Sequence, residues 1–219
     1  MSKIRAMLFD LDGTLLDSAP DLVGSLNQVR KLEKLPPLDV AEMSRFASHG
    51  AAGLLKAGMP ATDDVTFEAW RLEFLQHYAG NSFCDSSLFE GVPELLDFLQ
   101  CSGIPWGIVT NKIEALTLPI IEAANLRRSV SCVVCGDTLA KSKPDPAPVS
   151  LACGILNVPP QNTIFVGDDI RDLVAGRAAG TQLAAVHYGY GSYEFDDSLV
   201  SGSYQVHHPS DLVKLVLHG

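Results

Sequence analysis

Short apolar runs alternate with helical segments along most of this chain, and three of the runs stop on a reactive polar residue. Ile4 to Phe9 stops on Asp10, Ile104 to Val109 on Thr110, and Thr163 to Val166 on Gly167-Asp168. Val130 to Cys135 and Leu183 to Val186 read as further strands, all too short to be helices. Helices are expected over 92–100, 114–124, 147–156, 173–179 and 211–217. Such alternation predicts a parallel sheet with helices on both faces, a Rossmann-like α/β core. Ligands of such sheets bind at the carboxyl ends of the strands.

The stretch from Asp17 to Phe83 breaks the alternation. Helices are predicted from Asp21 to Leu32, from an Asp39 cap toward Ala47, from Gly50 to Lys56, and after an Asp63 cap. Pro36-Pro37 ends the first. Phe67, Trp70, Phe74, Leu75 and Tyr78 stand at helical spacing and read as the core of this block. The predicted organisation is a catalytic core of residues 1–16 and 88–219, interrupted by a small helical cap domain at 17–87.

The 219 residues suffice for both units. A net charge of -10, with no lysine or arginine run, argues against nucleic acid and anionic membranes as partners. No apolar stretch approaches the ~18 residues a membrane helix needs, and the first residues do not resemble an export signal. Five scattered cysteines suit a reducing compartment, so the cytoplasm is expected. Cys132 and Cys135 form a C-x-x-C, but residues three apart on a strand face opposite ways. No second such pair completes a zinc site.

Four segments at the expected strand ends carry the chemistry: Asp10-Leu11-Asp12-Gly13-Thr14, Thr110-Asn111-Lys112, Lys141 to Pro146, and Gly167 to Asp172. A carboxylate can attack phosphorus and form an acyl phosphate. It repels a phosphate dianion, and Mg²⁺ relieves that repulsion using carboxylate oxygens, which Asp10 and Asp168 supply. A lysine offsets the remaining charge, and a threonine hydroxyl with backbone N–H groups holds the phosphoryl oxygens. Asp12, two residues beyond Asp10, can reach a leaving oxygen as acid and later activate water as base.

The motifs D-x-D-G-T-L at Asp10 to Leu15, V-T-N at Val109 to Asn111, K-P-D-P at Lys143 to Pro146 and G-D-D-x-x-D at Gly167 to Asp172 resemble those of the haloacid dehalogenase superfamily. The resemblance spans essentially the whole chain. It implies Asp10 as nucleophile and metal ligand, Asp12 as acid/base with its carbonyl on the metal, and Thr110 and Lys143 on the phosphate. Asp168 becomes the acidic metal ligand, with Asp172 in or beside the metal shell; Asp169 leaves open which of the three acids touches the ion. Gly13, Thr14 and Asn111 are expected at the substrate phosphate. The helical block resembles the family's small cap, and Arg45, Ser48 and His49 are candidates to read the organic part of the substrate.

The implied activity is hydrolysis of a small phosphorylated metabolite by a monomer or homodimer. Within the superfamily the chain resembles phosphoglycolate phosphatases and N-acetylmuramic acid 6-phosphate phosphatases. Phosphosugar mutases share the core motifs and stay open as an alternative. A non-enzymatic aspartate phospho-acceptor would be shorter and lack the helical insertion. His207-His208 reads as a solvated pair, Asp39 and Asp63 as caps, Asp145 as a turn former. Tyr188-Gly189-Tyr190 either borders the pocket or packs its own loop.

Overall fold

The structure, a computed structural model, describes residues 3–218. In chain order the strands are β1 (Ala6–Phe9), β2 (Leu16–Asp17), β3 (Ser87–Leu88), β4 (Trp106–Val109), β5 (Cys132–Val134), β6 (Thr163–Gly167), β7 (Gln182–Val186) and β8 (Tyr204–Val206). Six of them form a parallel sheet in the order β5-β4-β1-β6-β7-β8. From β1 the chain builds outward through β4 and β5, then returns to lay β6 against the other edge of β1. The crevice between β1 and β6 is therefore the switch point where such sheets bind ligands. Asp10 and Asp168 stand at its two sides.

The helices are α1 (Ala19–Leu32), α2 (Val40–Met43), α3 (Gly50–Gly58), α4 (Asp64–Gly80), α5 (Val92–Cys101), α6 (Glu114–Ala123), α7 (Ala147–Leu156), α8 (Ile170–Ala179), α9 (Asp197–Val200) and α10 (Ser210–His218). The period-two alternation of strand side chains divides the core between the faces. Met7, Phe9, Ile164 and Val166 join Leu95, Ile120 and Leu212 of α5, α6 and α10. Leu8 and Phe165, one residue out of phase, join Val149, Ala152 and Ala175 of α7 and α8.

Helices α1 to α4 are inserted between β1 and β4, and Leu22, Leu26, Leu54, Leu55, Trp70 and Phe74 bury against the same continuous cluster. Asp39 and Asp63 cap α2 and α4 as expected. Between α2 and α3 the chain runs as a 3₁₀ turn, Ser44–His49, so the helix expected to reach Ala47 changes its winding after Met43. The chain leaves and rejoins the core side by side, because β2 pairs antiparallel with β3. Buried Asp21 strengthens this neck by accepting hydrogen bonds from the backbone N–H groups of Cys84, Asp85 and Ser86 at 2.9, 3.0 and 3.0 Å.

The sequence reading missed β2, β3, α9 and β8. Each is two to four residues long, too short for periodicity to show.

Candidate active site

Asp10 follows β1 and Lys143 lies in the loop before α7. Lys143 Nζ donates to Asp10 Oδ1, to Asp172 Oδ1 and to the Val109 carbonyl, each at 2.7 Å. The ammonium's three protons are thus all placed. Its loop is pinned by Asn111, whose amide donates to the Lys143 carbonyl at 2.8 Å and accepts from the Lys143 N–H at 3.0 Å. Asn111 lines the pocket, but its side chain is spent on aiming the lysine.

The two glycines in the acidic motifs are there because of the carboxylates. Gly13 has φ +84°, and a Cβ there would meet Asp168 Oδ2 at 2.3 Å. A Cβ on Gly167 would meet Asp172 Oδ2 at 2.3 Å. Thr14 is fully buried and donates to Asp168 Oδ1 at 2.9 Å, while the Gly191 N–H donates to Oδ2 at 2.9 Å. Gly13 and Thr14, expected at the substrate, are instead packed around Asp168 and do not line the pocket.

Asp10, Asp168 and Asp172 each offer a carboxylate oxygen within 4.8 Å of the others. Asp169 stands apart from that cluster. It caps α8, accepting from the Arg171 N–H at 2.8 Å, while Asp172 Oδ2 accepts from the Asp169 N–H, a capping box. The Arg171 guanidinium grips Asp169 through both oxygens at 2.7 Å. Asp172 therefore both caps the helix and faces the cluster.

The cluster is short of positive charge. Burial pushes the Asp168 carboxyl up to about 7, and the Asp10 charge adds to that. Burial also raises Asp172, with the Lys143 charge opposing it. At Asp10 burial again outweighs Lys143. An all-oxygen donor set with excess negative charge fits a hard divalent cation.

Asp12 points elsewhere. Its Oδ1 accepts from Ser18 Oγ at 2.5 Å and from Lys112 Nζ at 2.6 Å. Lys112 also donates to the Tyr78 hydroxyl at 2.7 Å. Burial pulls the Lys112 ammonium down, but Asp12 and Tyr78 outweigh it and keep it charged. Burial pushes the Tyr78 hydroxyl up to about 12. Lys112 closes the second motif with no role that its position there suggests, and Tyr78 stands at the spacing of helical core.

A cavity of about 340 Å³ opens above these groups. Asp10, Asp12, Thr110, Lys143 and Asp172 form its floor, and Ser48, His49, Arg71, Phe74 and Tyr78 of the helical block form its roof. Arg171 ties the two together by donating to the Ser48 carbonyl at 2.5 Å. His49 lines the cavity and stands 3.5 Å from Glu194. Arg45 does not line it; its guanidinium lies over the Phe46 ring at 4.8 Å. Arg71 is the helical-block cation on the cavity wall, at a position with no motif to mark it.

The Tyr188-Gly189-Tyr190 loop packs the neck. Tyr188 donates to the Thr14 carbonyl at 3.0 Å, Tyr190 to Asp17 at 2.6 Å, and both rings rest on Phe89. Cys132 and Cys135 are buried free thiols, and β5 ends at Val134, so Cys135 lies just past the strand expected to hold both.

The family profile described as haloacid dehalogenase-like hydrolase matches residues 7–186. The chain belongs to that family. The N-acetylmuramic acid 6-phosphate phosphatase of Pseudomonas putida is 39% identical over 98% of this chain and 96% of its own length. The phosphoglycolate phosphatase of Xylella fastidiosa is 38% identical over 87% of this chain and 83% of its own. Among solved structures, a predicted phosphoglycolate phosphatase from Haemophilus somnus superposes with a TM-score of 0.85 at 28% identity, covering 98% and 99% of the two chains. This haloacid dehalogenase-like hydrolase thus sits among phosphatases. Among the described residues, no helix is long and apolar enough to cross a membrane.

Proposed function

We propose that this phosphatase hydrolyses a phosphomonoester through a covalent aspartyl phosphate on Asp10, with Mg²⁺ at Asp10, Asp168 and Asp172. The observation that carries the reading is the position of Lys143, 2.7 Å from both Asp10 and Asp172 at the floor of the cavity. A lysine there neutralises a carboxylate that must approach a dianion. When bound, Mg²⁺ supplies the further charge that lets the two anions meet.

The chain's own residues do the rest. Asp10 attacks phosphorus, forming the O–P bond as the ester oxygen departs. Thr110 holds an equatorial oxygen, and the charge of Lys143, fixed between Asp10 and Asp172, offsets the charge on the others. Asp12 gives its proton to the departing alkoxide, then takes one from the water that cleaves the acyl phosphate. The helical block acts as a cap that excludes bulk water during transfer. The setting is cytoplasmic, which the free thiols support.

The substrate we assign is a carboxylate-bearing amino-sugar phosphate of the N-acetylmuramic acid 6-phosphate type. The cavity of about 340 Å³, with Leu22, Phe74, Leu75 and Leu116 on its walls, has room well beyond a two-carbon acid and offers apolar contact. The P. putida relative that matches nearly end to end carries that activity in its name. The test is kcat/KM with Mg²⁺ on N-acetylmuramic acid 6-phosphate and 2-phosphoglycolate in parallel. At least a tenfold preference for the sugar phosphate is expected; the reverse preference overturns the assignment. Formation of a bisphosphate and a shifted monophosphate, without free phosphate, would identify a mutase.

A further inference from the structure

We infer that Lys112 is a positioning residue for Asp12, and that its bond to Tyr78 makes the aim of that carboxylate depend on the helical block being seated over the site. This rests on the reading of Asp12 as the acid that protonates the leaving oxygen.

The geometry is specific. Lys112 lies three residues past β4, and its backbone is anchored in the core. Its N–H donates to Thr110 Oγ1 at 3.1 Å, and its carbonyl accepts from the Gly136 N–H at 2.9 Å. Its side chain is only 9% exposed, yet it carries a full charge. Two partners hold that charge: Asp12 from the core at 2.6 Å and Tyr78 from α4 at 2.7 Å. Tyr78 is itself 1% exposed and packed against Phe74, so its hydroxyl moves only if α4 moves. The other bond to Asp12 comes from Ser18, the residue before α1. Both constraints on Asp12 therefore run into the inserted helices, one directly and one through Lys112. Both fall on Oδ1, so Oδ2 is the oxygen assigned to proton transfer.

The site divides its lysines accordingly. Lys143 serves Asp10 and Asp172, and Lys112 serves Asp12. A displaced α4 would take the Tyr78 hydroxyl away and free the ammonium to pull Asp12 off line. Proton delivery is then coupled to closure over a substrate, and an open site is a poor acid toward a stray ester.

The test compares leaving groups. An alkyl ester such as N-acetylmuramic acid 6-phosphate needs a proton on its departing oxygen, whereas p-nitrophenolate departs unaided. Since kcat/KM reports steps only through ester cleavage, slow dephosphorylation does not confuse it. Lys112→Met, Tyr78→Phe and Asp12→Asn are measured on both esters, with circular dichroism and melting to confirm folding. Lys112→Met should lower kcat/KM on the alkyl ester at least tenfold more than on p-nitrophenyl phosphate. Tyr78→Phe should move the same ratio about threefold in the same direction. It serves alone if Lys112→Met fails to fold. If Asp12→Asn shifts the ratio but Lys112→Met and Tyr78→Phe lower both esters equally, the positioning role is wrong and the acid stands. If Asp12→Asn leaves the ratio unchanged, the acid reading fails, and the inference falls with it.

Discussion

Lys143 and Asp10 are 133 residues apart in the chain and 2.7 Å apart at the site. The lysine is 4% exposed, and its other protons go to Asp172 and the Val109 carbonyl. Removing it leaves three buried carboxylates with no lysine among them. Lys143→Ala is expected to lower kcat by about 10²–10³, the usual range for a preorganised charge at the reacting centre. Steady-state kinetics check this, and a loss under about threefold would place Lys143 outside the chemistry.

Asp10→Asn keeps shape and hydrogen-bonding reach but removes the nucleophile. Turnover should vanish, and no acyl phosphate should form on the intact chain by mass spectrometry of acid-quenched reactions. The variant should also fold at least as stably as the parent, because a neutral side chain at this buried acidic cluster relieves repulsion. Normal turnover by a folded Asp10→Asn protein would end the covalent mechanism.

The acidic cluster gives the metal-free protein a pH-dependent stability of defined sign. Asp168 ordinarily titrates at 3.8 and is pushed up to about 7 by burial and by Asp10. Below about pH 4 it is protonated whether the chain is folded or not. Between there and about pH 7 the unfolded chain sheds the proton while the folded chain keeps it, so stability falls as pH rises through that window. In EDTA the melting temperature should therefore drop between pH 5 and pH 8 more steeply for the parent than for Asp168→Asn. Adding Mg²⁺ at pH 8 should recover several degrees, since binding to the folded form alone stabilises it. Equal slopes for both proteins, or no response to Mg²⁺, would contradict the assigned site.

Much of this architecture was legible because two periodicities are local properties. The runs ending at Asp10, Thr110 and Gly167-Asp168 are strands in the structure, and 147–156 was read to the residue as α7. Asp10, Asp168 and Asp172 meet with Lys143 at the strand ends, while Asp12 and Asp169 turn to other partners. What the sequence could not supply was the direction of side chains across elements. Asn111, Gly13 and Thr14 sit in the right motifs but hold Lys143 and Asp168 in place. Lys112 and Tyr78 meet only because α4 brings Tyr78 to the loop that follows β4, a contact spanning 34 residues with no signature of its own. Asp169 was ambiguous until its cap geometry with Arg171 separated it from the cluster.

Substrate selection should follow the cavity wall, where residues 47–51 of the expected segment stand beside Arg71 of α4. Of the expected readers in the helical block, Ser48 and His49 line the cavity, while Arg45 stacks on Phe46 outside it. Arg71 lines the wall from α4, and its guanidinium is held by Glu68 through bonds of 2.8 and 2.6 Å. That pair is solvent-exposed, and exposed pairs hold weakly. A substrate carboxylate can replace Glu68 in the same two-pronged geometry, which arginine suits and lysine does not. Arg71→Lys and Arg71→Ala should each lower kcat/KM on N-acetylmuramic acid 6-phosphate by about tenfold or more, chiefly through KM. On p-nitrophenyl phosphate, which carries no carboxylate, both should stay within about threefold of the parent. His49→Ala should shift the same ratio, and Arg45→Ala should leave it alone. A ratio that moves with Arg45 and not with Arg71 would mean that the roof closes on substrate in a different register. The 3₁₀ turn at Ser44–His49 would then carry the recognition.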